Sequence, residues 1–348
     1  MNSPCYAHSM EHTLTADFLA GQTVLLRLDL DVPVSADQVS DDSRLLSSLE
    51  TLKFCSTHAK RVVILGHLAR PDGYDESLSL KPVIKEIERL LDQPIFMVPF
   101  HEGLGKSYNN KIVALDNLRF FDGEAKADPE FGHKLASMGT VFVNEAFAVA
   151  HRSSASTTLL PSLLPSRLGF SFANELAALE TALQTVKHPI IMIMGGIKAD
   201  KIENVDMLLK NVDNLLLGGR LVDLVQPQDK LVLASLTPDG LDITAESATV
   251  FSSLLRTAGT IIWNGPLGKF EDPSYNKGTT IVANAMASTT AFKIAGGGDT
   301  LAAIHQLGLE SKFDHLSTAG GAMLYYIAHK TLPAHEAILH SPSKPSAK

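Results

Sequence analysis

"IIMIMGGIKADKI", residues 190–202, decides the fold. Its first five residues are all apolar, three of them isoleucine, and no polar residue alternates with them, which is the pattern of a strand buried on both faces. Gly195 and Gly196 end the run, and Lys198 and Lys201 follow with Asp200 between them. A glycine turn exposes backbone N–H groups, and two ammonium groups beside it gather positive charge, so this strand end suits an anion. A strand covered on both faces lies in a parallel sheet between helices, so the stretch predicts an α/β fold.

The same rhythm runs outward in both directions. Short apolar runs at 23–28, 61–66, 94–98, 112–115 and 140–143 read as strands, with helices around 44–57, 81–91 and 129–138 between them. Further runs follow at 214–218, 231–234, 260–263, 292–295 and 315–317. The stretch "NELAALETALQTVK" (174–187) has helical spacing and a proline soon after, Pro189, so it reads as a helix joining two α/β domains. The Pro/Ser/Lys tail at 341–348 reads as disordered.

Composition limits the functions that fit. A chain of 348 residues with 45% apolar and 20% charged residues is about twice a common domain and can bury a large core. Two cysteines, Cys5 and Cys55, give neither a disulfide framework nor metal-ligand spacing, and the N-terminus lacks a basic flank followed by an apolar run. A cytoplasmic protein without membrane attachment is expected. The net charge of −8 speaks against a nucleic-acid binder, so any anion site must be a local concentration of positive charge.

Ligands of open parallel sheets bind at the carboxyl ends of the strands. In the first half those positions carry Arg27, Asp29, Arg44, His67, Arg70, Arg119, His151 and Arg152. Five arginines at strand ends in an acidic chain suit a small, multiply charged phosphate or carboxylate, which Arg binds bidentately. In the second half, "WNGPLGKFE" (263–271), "AGGGDT" (295–300) and "STAGGA" (317–322) each place glycines after a strand. Such turns let backbone approach phosphate oxygens, and an aspartate among them, Asp299, is placed to hold Mg²⁺ on the same phosphates. A tight packing turn is the alternative reading for each glycine run. Neither G-x-x-x-x-G-K-[ST] nor G-x-G-x-x-G occurs, which removes support from Walker-type NTPases and dinucleotide dehydrogenases.

Taken in order, "RLDLDVP", "DDSR", "GHLARP", "SLKPV", "LDNLRF", "DPEF", "VNEAFAVAHR", "GGIKADKI", "WNGPLG" and "GGGDT" closely resemble the phosphoglycerate kinase family along nearly the whole chain. The resemblance implies two Rossmann-like domains with largely parallel sheets, joined by a helix and facing each other across a cleft. Residues 1–173 would bind 3-phosphoglycerate or 1,3-bisphosphoglycerate through Arg27, Asp29, Asp31, Arg44, His67, Arg70, Arg119, His151 and Arg152. Residues 174–187 would link the domains, 188–328 would bind MgADP or MgATP, and 329–348 would return to the first domain. Arg44, Lys198, Gly297 and Gly320 would be catalytic. Lys198, Lys201, Gly218, Asn264, Pro266, Glu271, Gly297, Gly298, Asp299 and Thr300 would hold the nucleotide, with Asp299 on Mg²⁺. The implied activity is reversible phosphoryl transfer in glycolysis and gluconeogenesis by a monomer. An acyl phosphate needs no general base, so positioning and charge neutralisation would do the catalysis, with domain closure about the linking helix.

The chain departs from the family pattern at several places. Asp31 stands for an asparagine, Ala69 and Ala319 for glycines, Asp116 for a glutamate, and Ser154 for a frequent histidine. Lys198 and Lys201 are three residues apart where the family spaces its lysines four apart, a difference of about 100° around a helix. Between "LLLGGRLVDL" (215–224) and "GLDIT" (240–244), several dozen residues beside the adenine are absent. That shortening supports the alternative, a non-catalytic relative that binds a phosphorylated ligand or a partner protein.

Overall fold

The computed structural model describes residues 12–98, 109–197 and 199–343. Lys198, Cys5 and the tail beyond residue 343 lie outside the described residues. The chain divides into two compact units, one running to Leu176 and resuming at Thr331, the other spanning Ala177–Lys330.

In the first unit, β1 (Thr23–Arg27) is followed by a short antiparallel pair, β2 (Val34–Ser35) and β3 (Gln38–Val39), and then by β4 (Arg61–Leu65) and β5 (Phe96–Val98). β6 (Ile112–Leu115), β7 (Val141–Asn144) and β8 (Ser166–Leu168) complete it. The main sheet has the order β5-β6-β4-β1-β7-β8 with every neighbouring pair parallel. Side chains alternate between two cores, as a strand's period of two requires. Val24, Leu26, Val62 and Ile64 pack with Leu45, Leu52, Val83 and Ile87 from helices Ser43–His58 and Lys81–Leu91. Leu25, Val63 and Phe142 pack on the opposite face with Phe131 and Leu135 from helix Pro129–Ala136. Helix Lys81–Leu91 forms because Val83, Ile84, Ile87 and Leu91 make one apolar stripe, Pro82 presets its first turn, and Asp92 at φ 55° ends it.

The second unit contains β9 (Ile190–Met194), β10 (Asn214–Leu217), β11 (Leu231–Leu233), β12 (Thr260–Asn264), β13 (Phe292–Gly296) and β14 (His315–Ser317). Their order is β11-β10-β9-β12-β13-β14, all parallel, so the winding reverses between β9 and β12. All five residues of β9 are buried, as its composition requires. Helices Ala245–Leu255, Lys277–Ala287, Gly298–Gln306 and Gly320–His329, none of them named from the sequence, cover this sheet. Helix Gly320–His329 is nearly continuous in apolar residues, and such a segment shows no amphipathic contrast. Among the described residues no helix is long and apolar enough to cross a membrane.

The helix expected at 174–187 runs instead from Phe170 to Gln184. Its start is set from outside the segment. The Glu145 carboxylate accepts the Ser171 and Phe172 N–H groups at 3.0 and 3.3 Å, and Thr51 Oγ1 accepts the Phe170 N–H at 2.9 Å while donating to Glu145 at 2.9 Å. Burial pushes the Glu145 carboxyl up to about 8 from 4.5, against the pull of these hydrogen bonds. The folded protein therefore holds this proton more tightly than the unfolded chain does. That contribution is fully present below pH 4.5 and is lost as pH rises through about 8. Glu145→Gln should remove it, so wild-type stability should fall relative to the variant by up to about 1.4 kcal/mol per pH unit between about pH 5 and about pH 8. Denaturant unfolding of both proteins across that range measures this, and parallel curves would refute it.

Candidate active site

The first sheet reverses its winding between β1 and β7, and there the carboxyl ends carry most of the basic residues. Arg27 lies opposite Asn144 in the register, and the Glu145 N–H donates to the Arg27 carbonyl at 2.8 Å. Arg27 is 1% exposed. Its Nε donates to Ser156 Oγ at 2.9 Å, Nη1 to the Leu28 carbonyl at 2.5 Å and Nη2 to His67 Nδ1 at 2.8 Å. His67 is 2% exposed, and burial together with Arg27, Arg119, Arg152 and Arg44 holds its pKa well below the ordinary value. The imidazole is therefore neutral at pH 7 and is the common neighbour of four guanidinium groups.

Arg44 projects from the first turn of helix Ser43–His58, with Nη1 at 2.9 Å from the Asp31 carbonyl and 3.4 Å from Asp29 Oδ2. Burial raises the Asp29 carboxyl, opposed by Arg44 and Arg27. Asp31 has turned one oxygen to the Ala69 N–H at 2.8 Å and sets the other 4.0 Å from His67 Nε2. Ala69 has φ 56°, the left-handed region that the family's glycine would occupy without strain. The loop that carries His67 and Arg70 is pinned by Asn117, whose Nδ2 donates to the Leu68 and Leu78 carbonyls at 2.8 and 3.0 Å. Arg119 is half-buried, and burial lowers its pKa, with Glu124 opposing that shift and Arg70 adding to it. Arg152 Nε donates to His151 Nε2 at 3.1 Å.

The second sheet reverses between β9 and β12, where two glycine turns meet. Gly265 has φ 98°, and a Cβ placed on it would overlap the Gly195 carbonyl; one on Gly195 would overlap the Pro266 carbonyl. Lys201 Nζ caps this junction, donating to the Gly195 carbonyl at 2.8 Å and lying 3.4 Å from the Asn264 carbonyl. The turn after β10 packs against the same place, with Gly218 N–H on the Met194 carbonyl at 2.9 Å and Gly219 against Gly196. Asn264 Nδ2 donates to the Gly296 carbonyl at 2.8 Å, and Thr300 Oγ1 accepts the Gly265 N–H at 2.7 Å while donating to Gly296 at 2.9 Å. These two buried side chains hold the glycine turns together. Gly297, at φ 103°, caps helix Gly298–Gln306, whose first-turn N–H groups lack intrahelical partners. A Cβ on Gly320 would lie 2.7 Å from both Asn264 Nδ2 and the Gly297 Cα. Ala319 has φ −106° and so needs no glycine. Glu271 and Asp299 are exposed.

The family model described as phosphoglycerate kinase matches residues 15–231 and 228–330. The chain belongs to the phosphoglycerate kinase family. The Bdellovibrio bacteriovorus phosphoglycerate kinase is 34% identical over 380 aligned positions, covering 91% of this chain and 94% of that protein. The Moorella thermoacetica phosphoglycerate kinase is 34% identical, with 90% and 95% covered. The solved phosphoglycerate kinase of Coxiella burnetii superposes with TM-score 0.71 at 28% identity, covering 92% of this chain and 96% of that one. That of Pyrococcus horikoshii gives 0.73 at 26%, covering 94% and 98%. The two matched stretches meet at 228–231, beside β11, and the Bdellovibrio alignment has more positions than this chain's 348 residues. The phosphoglycerate kinase pattern is thus shortened where the sequence lacks its segment after β10.

The structure brings Arg27, Arg44, His67, Arg119 and Arg152 into one electrostatic group, with Asp29 and Asp31 among them. It joins Lys201, Gly218, Asn264, Pro266, Gly297, Thr300 and Gly320 around the glycine turns. Sequence reasoning missed Glu124, 1% exposed, which accepts hydrogen bonds from Ser154 and Ser156. It also missed Asn117 and Glu145, because a lone acid or amide in a helix-forming or turn-forming stretch carries no mark of its distant partner.

Proposed function

We propose that this chain catalyses reversible phosphoryl transfer between 1,3-bisphosphoglycerate and MgADP, giving 3-phosphoglycerate and MgATP, as a cytoplasmic monomer in glycolysis and gluconeogenesis. The observation that carries the reading is the pairing of two switch points, one basic and one glycine-lined, in a chain of this family. Arg44, Arg70, Arg119, His151 and Arg152, with His67, Asp29 and Asp31, hold the substrate's carboxylate and phosphate oxygens. Lys198 and Lys201 with the N–H groups of Gly297, Gly298 and Thr300 hold the nucleotide phosphates, Gly218, Asn264 and Pro266 shape that site, and Glu271 takes the ribose. Gly320 leaves room for the transferring group beside Gly297.

Asp299 is the residue that would hold Mg²⁺. It is an exposed carboxylate on the first turn of helix Gly298–Gln306, and Mg²⁺ typically takes one or two protein carboxylates plus substrate phosphates and water. When bound, the ion neutralises charge on the nucleotide phosphates. A coupled assay for ATP consumption tests the proposal: consumption dependent on 3-phosphoglycerate supports it, and its absence in folded protein refutes it.

Arg152→Ala should raise the Kd for 3-phosphoglycerate about tenfold, about 1.4 kcal/mol, and binding to the wild type should weaken as salt rises. Calorimetry at two ionic strengths reads both effects, and salt-independent binding would remove the basic patch from the site. The shortened segment after β10 takes apolar surface from the adenine, while the phosphate contacts stay. Losing roughly 80–100 Å² at about 25 cal/mol per Å² weakens adenine recognition by about 2–2.5 kcal/mol. The KM for ATP should be high, and kcat/KM for GTP should lie within about fivefold of that for ATP. A strong adenine preference would show that other residues rebuild the pocket.

A further inference from the structure

We propose that Glu124 is a positioning residue for the substrate half-site, holding His67 through Ser156 and Arg27 as a neutral imidazole whose one proton is on Nε2. The direction of every bond in this relay is fixed by chemistry. A guanidinium only donates, so Nδ1 of His67 must accept from Arg27 Nη2 at 2.8 Å and carries no proton. The ring's proton is left on Nε2. Arg27 Nε donates to Ser156 Oγ at 2.9 Å, and that hydroxyl sends its own proton to Glu124 Oε1 at 2.6 Å. Glu124 also accepts from Ser154 Oγ at 2.8 Å and from the Ser156 N–H at 3.0 Å.

Glu124 and Arg27 are each 1% exposed, so they form a buried opposite-charge pair separated by one hydroxyl. Each of the three guanidinium nitrogens of Arg27 is bonded within the protein, the third to the Leu28 carbonyl. With Arg27 almost wholly buried, it acts on the site from behind His67. His67 Nε2 faces Asp31 Oδ2 at 4.0 Å and offers its hydrogen to an anionic oxygen. The imidazole so held gives a directional hydrogen bond that does not titrate across the neutral range, beside Arg44, Arg119 and Arg152, which supply the charge. The inference rests on the reading that 3-phosphoglycerate binds at this half-site.

Correlation of ¹⁵N with ¹H in the imidazoles of the ligand-free, histidine-labelled full chain tests it. Wild-type His67 is expected as the Nε2–H tautomer alone across the neutral range. In Glu124→Gln and in Ser156→Ala, a mixture of tautomers or an imidazolium signal is expected above about pH 6, with the Kd for 3-phosphoglycerate raised about tenfold. An Nδ1–H tautomer or an imidazolium in the wild type at neutral pH overturns the proposal, as do spectra unchanged in both variants. The wild-type titration and Ser156→Ala decide the matter even where Glu124→Gln does not fold. Turnover does not enter the readout, so a wild type that fails to consume ATP overturns the proposed function alone.

Discussion

Arg44→Ala is expected to lower kcat by at least about 10²-fold while the KM for 3-phosphoglycerate changes little, by analogy with arginines that stabilise a transferring phosphoryl group. The guanidinium stands on the first turn of a helix and is held by the Asp31 carbonyl and the Asp29 carboxylate, with 31% of its side chain exposed. It is thus fixed at one edge and open at the other, as a group that meets developing charge needs to be. Arg44→Lys should recover little, because a point charge does not reproduce the planar fork. Steady-state kinetics with both substrates varied reads the result. A near-normal kcat in Arg44→Ala would exclude the residue from the transfer step, whereas a change confined to KM would give it the binding role proposed for Arg152.

Gly265→Ala is expected to raise the Kd for ADP at least about tenfold and to destabilise the second unit by about 3 kcal/mol or more. Two costs add. The φ of 98° is one that an L side chain rarely adopts, and the new methyl would overlap the Gly195 carbonyl and lie 2.6 Å from Lys201 Nζ. Neither obstacle is the free end of a flexible side chain, since Lys201 is tied to the same carbonyl. The turns after β9 and β12 must separate, which opens the proposed nucleotide half-site at its switch point. Gly298→Ala is the control for stability: its φ is ordinary and an added Cβ meets nothing within 4 Å, so unfolding should change by less than about 0.5 kcal/mol. Calorimetric titration with ADP and with 3-phosphoglycerate separates local from general damage. Loss of both affinities in Gly265→Ala would mean that the whole protein, and not the glycine junction, had failed.

Strands with five apolar residues were legible because burial on both faces demands that composition, as at Ile190–Met194. β8 was not, because it is an edge strand of three residues with Arg167 at its centre, half-buried over the Phe18 ring at 4.6 Å. An edge tolerates a polar residue that an inner strand excludes. The linking helix was read four residues late for a related reason: its cap comes from Glu145 and Thr51, far away in sequence. At the candidate site, charge at a strand end identified Arg27, but only the fold shows that its guanidinium is buried and bonded to His67, Ser156 and the Leu28 carbonyl. Glycines could be located in the sequence but not assigned. Gly265 packs backbone against backbone, Gly298 faces open space, and Ala319 stands where no glycine is needed.

The first unit is not continuous along the chain. Leu332 and helix Pro333–Leu339 are buried there, the helix through Ala334 and Ile338, and the Ala334 N–H donates to the Ala150 carbonyl at 3.1 Å. A ribosome therefore completes all of Ala177–Lys330 before it releases the last piece that the earlier half requires. The second unit is made in one uninterrupted pass, while the nascent first unit has its strands but waits with an apolar surface uncovered. Of the two units, the one begun earlier is the one finished later.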